Sequence, residues 1–169
     1  MGLVAVETFR ESGGALLVAT ARGGNGVAAS SPPPFAFQRA ADGRFIARLC
    51  DGASSVRVVV EPARVHVEWI GALEAIVVRQ GEVLHRTAPH VFWTVKPTLA
   101  ADLAGPWPTE PGDLVLLCSA KVHHVLSEAD VTALASRDDL ATIVRGLVTT
   151  TSTRGDFAEL CAIAIRIEH

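Results

Sequence analysis

The chain has 169 residues, 49% of them apolar and 20% charged, with a net charge of −3. That is enough apolar material for one domain with a sizeable core, and it excludes a disordered tail. The mild acidity and the lack of any Lys/Arg cluster exclude nucleic acid and anionic membrane as expected partners.

Residues 1–21 contain Glu7, Arg10 and Glu11 and no uninterrupted apolar stretch, so no signal peptide is expected. No run approaches the roughly 18 apolar residues that a membrane span needs. Ala15 to Thr20 and Arg44 to Leu49 suit short strands bounded by glycine pairs and by Asp42-Gly43. Between them Ala28 to Pro34 carries three consecutive prolines and reads as loop. Val56 to Val60 and Arg64 to Ile70 form a predicted hairpin turning at Glu61-Pro62-Ala63. In its second strand Val65, Val67 and Trp69 alternate with Arg64, His66 and Glu68, which predicts one buried face and one solvated face. Ala75 to Arg79 turns at Gln80-Gly81 into Glu82-Val83-Leu84. Ala88 to Gly112 holds five prolines and two of the three tryptophans, and reads as a long irregular connection.

Leu114 to Cys118 is apolar at every position, as in a strand buried on both faces. Ser127-Glu128-Ala129-Asp130 has the spacing of a capping box and starts a helix. A second helix begins after Asp138, where Leu140, Ile143, Val144, Leu147 and Val148 repeat at i, i+3, i+4, i+7 and i+8. Thr149 to Thr153 and Gly155 are expected to end it, and Leu160 to Ile167 closes the chain as a strand. Many strands, two amphipathic helices and a final strand predict an antiparallel α+β sandwich. Cys50, Cys118 and Cys161 lie in apolar runs without C-x-x-C spacing, which points to buried thiols of a cytoplasmic protein.

One stretch carries more than fold. Gly112-Asp113-Leu114-Val115-Leu116-Leu117-Cys118-Ser119 leads into Ala120-Lys121 and then Val125-Leu126-Ser127. It resembles the C-terminal segment of the metal-dependent Ser/Thr protein phosphatases of the PPM, or type 2C, family. There G-D-x-x-L-L-C-S is followed by Asp-Gly, two or three residues, V-L-S and a helix. The resemblance is strongest from Gly112 to Ile167, extends over Arg64 to Thr87, and is faint before Asp51. It implies an antiparallel β-sandwich as one domain over residues 1–169.

The family binds two bridged Mg²⁺ or Mn²⁺ ions, which suit oxygen ligands and supply a nucleophilic water. The resemblance maps the family's carboxylates onto four places. Arg22 and Asn25 match an R-x-x-N-E-D motif, but Gly26 and Val27 stand where acids belong. Asp51-Gly52 matches the bridging Asp-Gly pair. Ala120 replaces the acid of Ser-Asp-Gly, and Asp156-Phe157 keeps the Asp of a closing Asp-Asn. Asp51, Gly52 and Asp156 are thus the vestige of a metal site, and Arg22 resembles the family's phosphate-contacting arginine. Turn and surface roles for the same residues remain open alternatives.

Lys121 follows the lost acid, so its ammonium is a candidate substitute for the missing cation, against the plainer reading of a lysine in solvent. His123-His124 has no matching ligand nearby in sequence and carries little weight as a metal site. The family also places two long helices after its first Asp-Gly, whereas only Ala53-Ser54-Ser55 separates Gly52 from Val56. Helices are therefore expected on one outer face only.

The expected function is a catalytically inactive phosphatase-like domain, a pseudophosphatase, that binds a protein partner, phosphorylated or not, and needs no cofactor. A weak Mg²⁺- or Mn²⁺-dependent phosphoserine/phosphothreonine phosphatase is one alternative. A structural or assembly protein on a reused sandwich is the other.

Overall fold

The computed structural model describes residues 4–11, 15–23, 34–52, 54–88, 101–155 and 159–168, with Ala120 and His123 described by backbone alone. Asn25, Gly26, Val27 and Asp156 lie outside the described residues.

Two antiparallel sheets face each other. The six-stranded sheet runs in the order β1 (Ala5–Arg10), β2 (Leu16–Gly23), β11 (Leu160–Ile167), β10 (Leu114–Ser119), β7 (Leu73–Arg79) and β8 (Glu82–Arg86). The five-stranded sheet runs β3 (Phe35–Arg39), β4 (Phe45–Asp51), β5 (Ser54–Glu61), β6 (Arg64–Ile70) and β9 (Asp102–Pro108). Three helices follow β10: α1 (Ala120–Val125), α2 (Glu128–Ala135) and α3 (Leu140–Arg154). Their main contacts with strands fall on the six-stranded sheet, α3 lying over β1, β2 and β11, α1 over β7 and β10, and α2 over β8.

The period-2 rule for strands sorts the core into two layers. Between the sheets Val56, Val58, Val65 and Val67 meet Ala75, Val77, Val115, Leu117, Ile163 and Ile165. The alternate residues of the six-stranded sheet, such as Ile76, Leu116, Ala162 and Ala164, pack under Ile143, Val144 and Leu147 of α3. Burial on both faces explains why β10 is apolar throughout, and its six residues are all buried.

Among the described residues no helix covers the outer face of the five-stranded sheet. The side chains of Arg64, His66 and Glu68 are 56%, 39% and 42% exposed, as the alternation in β6 predicted. Only residues 52–53 separate β4 from β5, and Gly52 takes φ +59° in that turn. No helix has room there.

Two expectations needed correction. The segment from Ala88 to Gly112 is not irregular throughout, because Asp102–Pro108 forms β9, an edge strand on β6. Prolines are tolerated there since an edge strand pairs on one side only. Opposite the register shift between Val65 and Val67, Gly105 has φ +99° and a Cβ there would stand 2.7 Å from the Val65 carbonyl oxygen. The threonine run lies within α3, which continues to Arg154, and of the expected end only the Gly155 C-cap holds. Thr151 is fully buried and its hydroxyl donates to the Leu147 carbonyl at 2.7 Å, so packing outweighs weak helix propensity.

Candidate functional site

Gly112 and Asp113 of the phosphatase-like motif have a structural task. Gly112 adopts φ +95°, and the Asp113 carboxylate accepts from Arg79 Nε and Nη2, both at 2.8 Å, and from the Glu110 amide. This fork, on a carboxylate only 1% exposed, pins the end of β7 to the start of β10.

The sequence-derived site residues gather at the other end of β10. Asp51 closes β4, and its partner across the turn is Ser54. The Ser54 hydroxyl accepts from the Ala72 amide at 3.1 Å, joining this turn to Gly71-Ala72. Ser119 ends β10 opposite Leu73, and its hydroxyl accepts from the Cys161 amide at 3.5 Å. Cys161 in turn lies opposite Arg22 near the end of β2. One end of the sandwich therefore brings together Arg22, Asp51, Ser119 and Cys161. Lys121 is half-buried at the second position of α1, and His124 is exposed on the same helix.

A carboxylate that no motif announced joins them. Glu159 Oε1 accepts from Arg22 Nε at 2.6 Å, with the two side chains 37% and 14% exposed. Cys161 registers the resulting field. Burial pushes its thiol up to about 12, Glu159 and Asp51 push the same way, and the Arg22 guanidinium opposes them. The thiol is therefore protonated at neutral pH, which rules it out as a nucleophile there.

A pair of hard cations needs several carboxylate oxygens between them. Among the described residues no three His, Cys, Asp or Glu side chains stand together as a metal site. Glu159, one of the described carboxylates at this end, is already held by a guanidinium. The described donors do not fit a bridged Mg²⁺ or Mn²⁺ pair. Asp156 lies outside the described residues.

A second buried charge sits on the helix side of the same sheet. Glu74 is fully buried and accepts from Arg86 Nε at 2.9 Å and Nη2 at 3.2 Å. The Cys118 thiol also points at Glu74, 3.5 Å away, and burial first and Glu74 second push it well above the usual thiol range. Burial pulls Arg86 down, but the Glu74 hydrogen bonds and charge outweigh it and raise the guanidinium overall.

No family model and no curated protein matches the sequence. Solved structures do match the fold. PppA of Pseudomonas aeruginosa superposes with a TM-score of 0.64 at 14% identity, over 98% of this chain and 97% of its own. The phosphatase domain of SpoIIE from Bacillus subtilis gives 0.63 at 10% identity, over 100% and 95%. The Mycobacterium tuberculosis serine/threonine phosphatase PstP/Ppp gives 0.60 at 12%, over 99% of each chain. Another PstP structure, of the catalytic domain, holds two manganese ions. On these superpositions the chain has the fold of the PPM-type Ser/Thr phosphatases.

Proposed function

We propose that the protein is a catalytically inactive phosphatase-like domain of the cytoplasm that works as a protein-binding or regulatory module. The observation that carries this reading is the ion pair of Arg22 with Glu159. In an active relative the matching arginine meets substrate phosphate. Here its Nε is engaged by a carboxylate, so an incoming phosphate dianion would meet the like charge of Glu159 beside the guanidinium. Ala120 in place of an acid supports the same reading, as does the thiol of Cys161, kept neutral beside Arg22.

The test is turnover of p-nitrophenyl phosphate and of a phosphothreonine peptide with Mn²⁺ or Mg²⁺ present. No metal-dependent turnover is expected. Activity that disappears in Asp51→Asn would overturn the reading in favour of a weak phosphatase. Ala120→Asp combined with Lys121→Gly should make the melting temperature rise with Mn²⁺, because a ligand bound only by the folded state stabilises it by mass action. The unaltered protein should show no such rise.

A further inference from the structure

The bare face of the five-stranded sheet carries a charge arrangement that folding alone does not explain. Strand registers place Ala36, Arg48, Arg57, Glu68 and Leu103 in one row across all five strands. Arg48 and Arg57 are directly opposite each other, and like charges so placed work against a sheet. Arg57 Nη1 donates to Glu68 at 3.2 Å, whereas Arg48 is exposed and makes no ion pair with a described residue. Arg57 thus has a carboxylate partner, and Arg48 has none among the described residues.

The next row supplies an apolar floor. Ile46 and Val59 lie opposite one another between Gln38 and His66, with Val59 only 8% exposed. An open depression of about 400 Å³ lies between Ile46 and the two arginines, lined also by Ala36, Phe37 and Gln38. A second, of about 220 Å³, continues on the far side of Arg57 toward Glu68 and Leu103. Leu103 itself is 77% exposed, an aliphatic side chain in water at the end of the row.

We infer that this face is a docking surface for a carboxylate-rich segment of a protein partner. This rests on the reading of the protein as a binding module and names the chemistry of what it binds. Arginine forks match carboxylates in two-point geometry. An acidic side chain over Arg48 and Arg57 would relieve their mutual repulsion, while an aliphatic neighbour in the segment would cover Ile46 and Val59. Among the described residues no helix lies over this face, and β4 passes to β5 through two residues.

The probe is a fluorescein-labelled peptide of sequence Glu-Leu-Glu-Glu-Leu-Glu, titrated into the full chain and followed by anisotropy. Saturable binding should weaken with added salt and fall at least tenfold in Arg48→Glu. That variant replaces a like pair by an opposite pair, so it should stay folded, which circular dichroism checks. Arg145→Glu, on the exposed side of α3, should bind as the unaltered chain does. Equal binding by Arg48→Glu overturns the proposal, and so does equal binding of the Gln-for-Glu peptide. Binding of a phosphoserine peptide alone would overturn it in favour of phosphate recognition. A dimer in sedimentation that Arg48→Glu dissolves would assign the face to a second copy instead. Turnover in the phosphatase assay would end the inactive-module reading without touching the peptide result. Absence of peptide binding with no turnover would end this proposal alone.

Discussion

The two sheets share one buried interface and differ on their outer faces. On the six-stranded sheet the outer face is as apolar as the inner one, and α3 seals it with Ile143, Val144 and Leu147, all fully buried. The charges on that side are paired and enclosed, as in Glu74 with Arg86. On the five-stranded sheet the outer face alternates arginine, histidine and glutamate with aliphatic residues, and its ion pairs stand in solvent. Among the described residues no helix lies over that face, and β6 is polar there in every other residue, while its inward set is valine and tryptophan. Burial on both faces is thus a property of the six-stranded sheet.

The largest test of that contrast is truncation on each side. Leu147→Ala should cost about 4 kcal/mol, since a fully buried leucine leaves a cavity, while Ile46→Ala on the bare face should cost about 1 kcal/mol. Equal losses in urea unfolding would erase the distinction between the two faces. Charge gives a second, somewhat smaller test. Glu74→Gln leaves Arg86 without its counter-charge and should cost about 3 kcal/mol, whereas Glu68→Gln, in solvent, should change stability by less than about 0.5 kcal/mol.

The smallest effect concerns how the helix layer is started. The Ser127 hydroxyl accepts from the Asp130 amide, and Asp130 reaches back to the Ser127 amide, closing a capping box. Ser127→Ala should cost about 1 kcal/mol. Its pH signature is distinctive. Arg154 first and Ser127 second hold the Asp130 carboxyl well below the usual carboxylate range. A group with a depressed folded pKa adds stability above its unfolded value, about 3.9 for Asp, and loses it as pH falls toward the folded one. The acid limb of the stability curve should therefore be shallower in Ser127→Ala, because less depression is left to lose. An unchanged acid limb would mean that Arg154 alone sets the carboxyl.

What could be read in the chain follows from how cleanly a face is buried. β6 and β10 announce themselves because one is half-covered and the other covered twice. The stripe of α3 and the Ser127 box are equally explicit. β1 gave no such signal, because it is an edge strand whose residues are mostly exposed and whose sequence, AVETFR, has no apolar run. β3 follows the proline triplet and β9 contains Pro106 and Pro108, so local punctuation masked edge strands that tertiary pairing sustains. α1 is a single short helix with no side-chain cap and no acid in its first turn, which leaves nothing to read. At the site, Asp51 was visible through its Asp-Gly turn. Glu159 was not, because its partner Arg22 lies 137 residues away and only the pairing of β2 with β11 brings them together.

That pairing has a consequence in time. Strands β3 to β6 meet their neighbours through consecutive connections, so the five-stranded sheet can assemble as soon as its residues leave the ribosome. The six-stranded sheet cannot, because β11, the strand made last, fills the slot between β2 and β10. Until it arrives, both neighbours present open edges of Leu, Val and Ala, the kind of edge that recruits foreign strands. Synthesis at roughly 5–20 residues per second leaves β2 waiting for several seconds. Chains stalled or cut before Leu160 should therefore be aggregation-prone and claimed by chaperones, while chains that include β11 are not.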